Sequence, residues 1–358
     1  MPVVPRAIPI VRHETDEFHR FLSLSRPNNI AQAAPRYCDT MIPRLVKQLI
    51  QEPLESLFGT AAARRSHHEL KRRRRLVPEA IDAIQRRWKL APDDDGDDPI
   101  FIFSAAWRSG STLLQRLALS GDEALIWGEP YPYCDYVRTL AKSLTAIDGS
   151  TPPDQFFLAE PPGHRDVDFN AWTACMYPQP QHLRRAHRAF FQTLYRDPAL
   201  ARGYRRWGLK EVVLSTAEAG YLKWLFPASK LVFLIRNPYD AWRSYRSIAD
   251  WYYRWPDQPV FTARQFGRLW KMLAEDFQRG CGSLDALVIR YEELISGGSV
   301  LDGFARHVAT PVQASVARVR VTGRAGEELA GIPRIEIMQL RMAVDPLAAR
   351  LGYAAPGR

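Results

Sequence analysis

Cysteine is scarce in this chain of 358 residues: the four present, Cys38, Cys134, Cys175 and Cys281, are far apart and form no C-x-x-C pair. That pattern argues against a disulfide framework and against a cysteine zinc site, and reads as reduced thiols. Long apolar runs are missing too, since none approaches the roughly 18 residues needed to span a bilayer. The first residues, Met1-Pro2-Val3-Val4-Pro5-Arg6, lack a charged start leading into an apolar core and a small-residue cleavage site, so a cytoplasmic location is expected. Acidic residues are the minority charge, 39 against 49 Lys and Arg, for a net charge of +10. Such a balance suits a polyanionic ligand, whether nucleotide, nucleic acid, acidic glycan or anionic membrane, without choosing among them. What remains is an ordinary globular composition, 46% hydrophobic and 25% charged, long enough for a sizeable α/β core.

The most informative stretch runs from Phe101 through Ser104, Arg108, Ser109, Gly110, Ser111 and Thr112 to Leu114. An apolar run breaks into a small, hydroxyl-rich loop and resumes with helical spacing. A strand that ends in Gly and Ser residues and turns directly into a helix aims backbone N–H groups and a helix start at one spot, which favours an anion. The loop resembles G-x-x-x-x-G-K-[ST] with Ala105, Gly110, Ser111 and Thr112 in register. The lysine of that pattern is absent, and the cation of the loop is Arg108.

Along the chain, Ile42, Leu45, Val46, Leu49 and Ile50 recur at helical spacing, and Ile81, Ile84 and Trp88 do so later. Between them residues 64–75 form the densest basic segment, read as a solvated helix face or a peripheral contact with an anionic surface. The stretch 91–99, with two prolines, a glycine and five aspartates, reads as a solvated linker and divides a helical extension, 1–98, from an α/β domain, 99–358. Beyond it, strands are expected at 100–104, 124–127, 207–209, 230–235 and 286–290, with helices between them. This is the mark of a central, mostly parallel sheet flanked by helices in a P-loop-like three-layer fold. Leu183, Ala186, Phe190, Phe191 and Leu194 form one expected core stripe, and Phe266, Leu269, Trp270, Leu273 and Phe277 another. Residues 150–181, rich in Pro and aromatics, read as an irregular insertion near the site.

The second loaded segment runs from Leu231 to Ser244. A buried apolar strand ends at Ile235, Arg236 stands at its carboxyl edge, and Asn237-Pro238 forces a turn into the next helix. Ligands of open α/β sheets bind at that edge, and Ser244, eight residues on, lies about two helical turns further. Together, Arg108-Ser109-Gly110-Ser111-Thr112 and Leu234-Ile235-Arg236-Asn237-Pro238 with Ser244 resemble the two nucleotide-binding motifs of the sulfotransferases that use 3′-phosphoadenosine 5′-phosphosulfate (PAPS). The resemblance covers roughly residues 99–301.

It implies that the first motif cradles the 5′-phosphosulfate of a PAPS donor and that Arg236 and Ser244 hold the 3′-phosphate. Trp127-Gly128-Glu129-Pro130 and Trp207-Gly208-Leu209-Lys210-Glu211 resemble the bacterial and tyrosylprotein-type branches, where Glu129 matches the general base and Lys210 a strand-terminal lysine aimed at the transferring group. Residues 288–294 resemble a late strand–helix junction of the family. The histidine base and the lysine in the place of Arg108 that cytosolic members carry have no counterpart here, and Gly323-Arg324-Ala325-Gly326 is the nearest match to their glycine-rich loop. Sulfuryl transfer develops charge on peripheral and leaving oxygens, so Arg108, Lys210 and the loop donors are the expected electrostatic groups, with no metal required. The expected acceptor is the hydroxyl of a carbohydrate or small metabolite, with no specific nucleic-acid partner, and Trp251-Tyr252-Tyr253-Arg254-Trp255 reads either as a wall of its pocket or as core. A P-loop kinase or NTPase and a nonenzymatic polyanion-binding protein are the alternatives.

Overall fold

Five apolar runs pair in parallel to make the central sheet: β1 (Ile100–Ser104), β2 (Ala124–Gly128), β3 (Arg206–Val212), β4 (Lys230–Ile235) and β5 (Ala286–Arg290), in the spatial order β2-β3-β1-β4-β5. The computed structural model describes residues 76–91, 96–129, 135–158, 175–247, 260–318 and 331–354. The chain divides into two units, Met1–Lys71 and Arg72–Arg358. The stripe at 42–50, the basic run 64–75, the aromatic segment 251–255 and the turn 323–326 all lie outside the described residues.

β1 is buried along its whole length, and its side chains alternate between two cores, as the two-residue period of a strand requires. Phe101 and Phe103 join Trp207, Leu209, Leu231, Phe233 and Ile235 on one face, while Ile100 and Ile102 join Ile126, Val232, Leu234 and Ile289 on the other. Helix α2 (Ser111–Leu119) covers the second face with Leu113, Leu114 and Leu117. The first face carries α1 (Val77–Trp88), α3 (Tyr136–Ser143), α4 (Pro180–Phe191), α5 (Thr216–Leu225), α6 (Pro238–Arg246) and α7 (Ala263–Leu284). The result is a three-layer α/β/α fold. Helix α1 packs Val77, Ala80 and Ile84 into the main core, so this part of the expected extension lies in the same unit as the sheet.

Two local readings differ from the structure. Strand β3 was expected over 207–209 and runs from Arg206 to Val212, because β1 continues to pair with it through Ser104 and Val212. Lys210 is therefore inside β3, although it is the last rung for β2, paired with Gly128. On α4 the buried face is Arg184, His187, Arg188 and Phe191, while Ala186 and Leu194 are exposed. The two arginines reach backbone carbonyls there: Arg184 donates to those of Ala91 and Trp224, and Arg188 to that of Leu225. Their guanidinium carbons also lie over the rings of Trp224 and Phe226, at 5.2 and 4.6 Å. A charged side chain with its terminal nitrogens on carbonyls and its plane on an aromatic face takes a core position that hydropathy assigns to leucine.

The stripe on α7 is as expected, with Phe266, Trp270, Leu273 and Phe277 buried. Phe277 stacks on Phe233 of β4 with centroids 4.4 Å apart. Phe277→Ala should cost about 3–5 kcal/mol of stability, read as a lower denaturation midpoint in urea.

Candidate functional site

The order β2-β3-β1-β4-β5 sets the chain off in opposite directions on the two sides of β1. Helix α2 follows β1 on one face and α6 follows β4 on the other. Neighbouring strands whose helices leave on opposite faces open a crevice at their carboxyl ends, where ligands of such sheets sit. The two sequence motifs occupy those two strand ends.

After β1, Ser104 and Ser109 both turn their hydroxyls to the carbonyl of Ala106, at 3.1 and 2.8 Å, tightening the loop. The Ser109 side chain is thus used in building the cradle and is fully buried. Arg108 has φ of 61° and Gly110 has φ of 90°, so the loop turns through two left-handed residues before α2. Gly110 caps α2 by its backbone, no side chain caps the helix start, and the first-turn N–H groups beside Ser111 and Thr112 are left to a ligand. Ser111 is buried and Thr112 exposed at that turn.

After β4, the Asn237 side chain accepts from Tyr239 N at 2.9 Å and starts α6, with Pro238 in its first turn. Arg236 donates from Nη1 to the carbonyl of Arg108 at 2.7 Å, and Arg108 donates from Nε to Ser244 Oγ at 3.0 Å. The structure therefore brings Arg108, Arg236 and Ser244 into one cluster. The Nε of Arg236 is buried without a hydrogen-bond partner. Burial holds the Arg236 guanidinium below its ordinary pKa, with Tyr291, Asp240 and Glu292 opposing and the Arg108 cation adding to the effect. A buried guanidinium with an unused donor next to a second arginine is a site in want of an anion.

Glu129 and Lys210 form a second cluster on the β2–β3 side of β1. Glu129 follows the last residue of β2, and its carboxylate forms an ion pair with Lys210 Nζ. Lys210 shares its rung with Ile102 and Gly128 on the face that α2 covers. Gln115, which the sequence did not single out, donates to the carbonyl of Ile126 at 2.7 Å and ties α2 to β2 beside it. Burial pushes the Lys210 ammonium down to about 8, with the Glu211 carboxylate opposing. Glu211 itself is pushed up to about 8, by burial first and the charge of Asp135 next, with Lys210 and Arg138 opposing.

Three further residues hold the first cluster, a part the sequence reading did not assign to them: it placed Trp270 in a core stripe and Tyr291 and Glu292 in the junction 288–294. Trp270 Nε1 donates to the carbonyl of Arg236 at 2.9 Å, and Glu292 accepts from Asn237 N at 2.8 Å. Tyr291, at the start of α8 (Tyr291–Ser296), lies under the Arg236 guanidinium, 4.5 Å from ring centroid to guanidinium carbon. Their separation in sequence hides them, and the only local signal is the Tyr-Glu pair at the end of β5. Among the described residues, no group of His, Cys, Asp or Glu comes together to hold a metal, and no helix is long and apolar enough to cross a membrane.

The buried ammonium gives a direct test. Lys210 is charged at pH 7 and largely neutral at pH 9, whereas a solvated lysine titrates near 10.4. A side-chain NMR titration, with the signal assigned from Lys210→Arg, should show a midpoint near pH 8; one near 10 would contradict the burial described.

The chain was compared with known proteins. A family model described as "Sulfotransferase family" matches residues 99–297. No curated protein matches. Among solved structures, the crystal structure of a sulfotransferase from Alicyclobacillus acidocaldarius aligns over 71% of this chain and 94% of its own, at 16% identity and a TM-score of 0.39. The family match takes in the cradle, the second anchor and the Glu129–Lys210 pair, more than half of the 358 residues, and by it the chain belongs to the sulfotransferase family.

Proposed function

We propose that this protein transfers a sulfuryl group from PAPS to the hydroxyl of a carbohydrate or small hydroxylated metabolite, in the manner of the bacterial and tyrosylprotein-type branches. The observation that carries the donor assignment is the Arg108–Arg236–Ser244 cluster beside an uncapped helix start. It offers two cations, a hydroxyl and a set of N–H groups in one crevice, and Arg236 retains a buried donor with no partner. A nucleotide with phosphates at both ends of its ribose matches that arrangement. The absence of the P-loop lysine, with Ser111 in its place, weighs against a kinase or NTPase.

In this reading Arg236 and Ser244 hold the 3′-phosphate, and the loop from Arg108 to Thr112 receives the 5′-phosphosulfate. The donor supplies an activated sulfuryl group, and the protein supplies position and charge. Lys210 and Arg108 offset the negative charge that develops on the sulfuryl and leaving oxygens, and the N–H groups at the α2 start add fixed dipoles. Glu129 takes the proton of the acceptor hydroxyl as that oxygen attacks in line. The ion pair with Lys210 supports this assignment, because it places the carboxylate beside a cation at the carboxyl ends of β2 and β3, next to the cradle. A metal has no step to perform in this scheme.

The assignment is tested with labelled PAPS and a panel of glycans, phenols, lipids and peptides, reading which product gains the sulfate. Glu129→Gln should lower turnover by about 10²–10⁴ with donor affinity retained; equal loss of donor binding would make Glu129 a structural residue. Arg236→Ala should weaken 3′,5′-adenosine bisphosphate by about ten- to a hundredfold, measured by calorimetry. Magnesium-dependent ATP hydrolysis without affinity for that bisphosphate would overturn the proposal.

A further inference from the structure

Arg236 ends in a long, rotatable side chain, and such a chain loses rotamer freedom when it is fixed on a ligand. In this structure most of that freedom is already gone. Its backbone carbonyl is held by Trp270 Nε1 at 2.9 Å, its Nη1 by the Arg108 carbonyl at 2.7 Å, and its guanidinium plane lies over the ring of Tyr291. The same ring reaches the cradle loop. A Cβ placed on Gly110 would fall 2.2 Å from Tyr291 Cδ2 and 2.3 Å from Cε2, so the ring fills the space that a side chain at 110 would take.

Tyr291 is itself set by its place in the fold. It follows Arg290, the last residue of β5, and β5 pairs with β4 through Ile235 and Arg290. The next residue, Glu292, accepts from Asn237 N, tying the start of α8 to the turn after Arg236. Among the described residues the Tyr291 hydroxyl makes no hydrogen bond, so the contact with Arg236 and Gly110 is made by the ring. One aromatic face thus touches both halves of the crevice, the loop after β1 and the arginine after β4.

We infer that Tyr291 is a positioning residue that presets Arg236 for the 3′-phosphate and so sets how strongly the site distinguishes nucleotides with that phosphate from those without it. The inference rests on the donor reading given above. A cation held on an aromatic face is pre-oriented without losing its hydrogen-bond donors, so Arg236 meets the phosphate with its remaining N–H groups already aimed. Replacing the ring by an aliphatic chain takes away the face under the guanidinium, while the N–H groups that meet the 5′-phosphate belong to the start of α2, which Leu113, Leu114 and Leu117 anchor in the opposite core and the Ser104 and Ser109 hydroxyls brace at Ala106.

The experiment is calorimetric titration of 3′,5′-adenosine bisphosphate and of 5′-AMP into the full-length protein and into Tyr291→Phe, Tyr291→Leu and Tyr291→Met. Wild type is expected to prefer the bisphosphate. Tyr291→Leu and Tyr291→Met should each cut that preference by about three- to thirtyfold with 5′-AMP binding unchanged, and Tyr291→Phe should keep it. A preference unaltered in both aliphatic variants, or an equal loss of both ligands in a variant with wild-type thermal midpoint, overturns the role of Tyr291 and leaves the donor reading standing. A wild type that binds the two nucleotides equally, with Arg236→Ala making no difference, overturns both. If Tyr291→Leu does not fold, Tyr291→Met carries the comparison, and loss of preference in Tyr291→Phe would assign the effect to the hydroxyl and sink the proposal.

Discussion

Arg236 leaves the end of β4 and donates to the peptide carbonyl of Arg108, which leaves the end of β1. The last backbone bond between these strands runs from Ala105 N to the Leu234 carbonyl; beyond it the two loops diverge to opposite faces of the sheet, and the Arg236 bond bridges them where the crevice opens. The energetics favour it, because a carbonyl in a strained left-handed turn and a guanidinium stripped of water would each be costly alone. Once it forms, Arg108 can lay its side chain on Ser244, and the cradle and the second anchor become one surface. The rest of the architecture serves this meeting: β1 sits at the centre of the sheet, and Trp270 of the long helix α7 holds the arginine's backbone from behind.

The second cluster follows a different logic. Lys210 and Glu129 are ordinary charged residues made unusual by where β2 stops. Because the strand pairing of β2 ends at Gly128 while β3 continues to Val212, a carboxylate and an ammonium face each other at a step in the sheet edge. Burial lowers the ammonium's hold on its proton, and the neighbouring charge at Glu211 partly restores it. A lysine balanced in this way carries its charge at neutral pH yet lies close to losing it.

Much of this was readable from the chain. Strands β1, β4 and β5 appear as apolar runs with clear ends, and the eight-residue spacing from Arg236 to Ser244 marks the second anchor without any structure. The reading faltered where polar residues take positions that hydropathy reserves for apolar ones. Lys210 and Glu211 disguised the second half of β3, whose hydrogen bonds to β1 outweigh its composition. Arg184 and Arg188 hid the buried face of α4, since their burial depends on carbonyls that other elements bring to them. In the site, Tyr291, Trp270 and Glu292 were invisible as partners of Arg236, because the pairing of β5 with β4 carries Tyr291 and Glu292 there and the packing of α7 brings Trp270.

The fit between Gly110 and Tyr291 has a consequence for how such a chain can vary. The left-handed turn at Gly110 already disfavours a side chain, and the tyrosine ring removes the room for one. A larger residue at 110 is admissible only if residue 291 shrinks in the same step, and a smaller residue at 291 exposes the loop it had covered. The two positions are therefore coupled: what residue 110 can be depends on what stands at 291, and the loop at the start of the domain is tied to a junction near its end by shape.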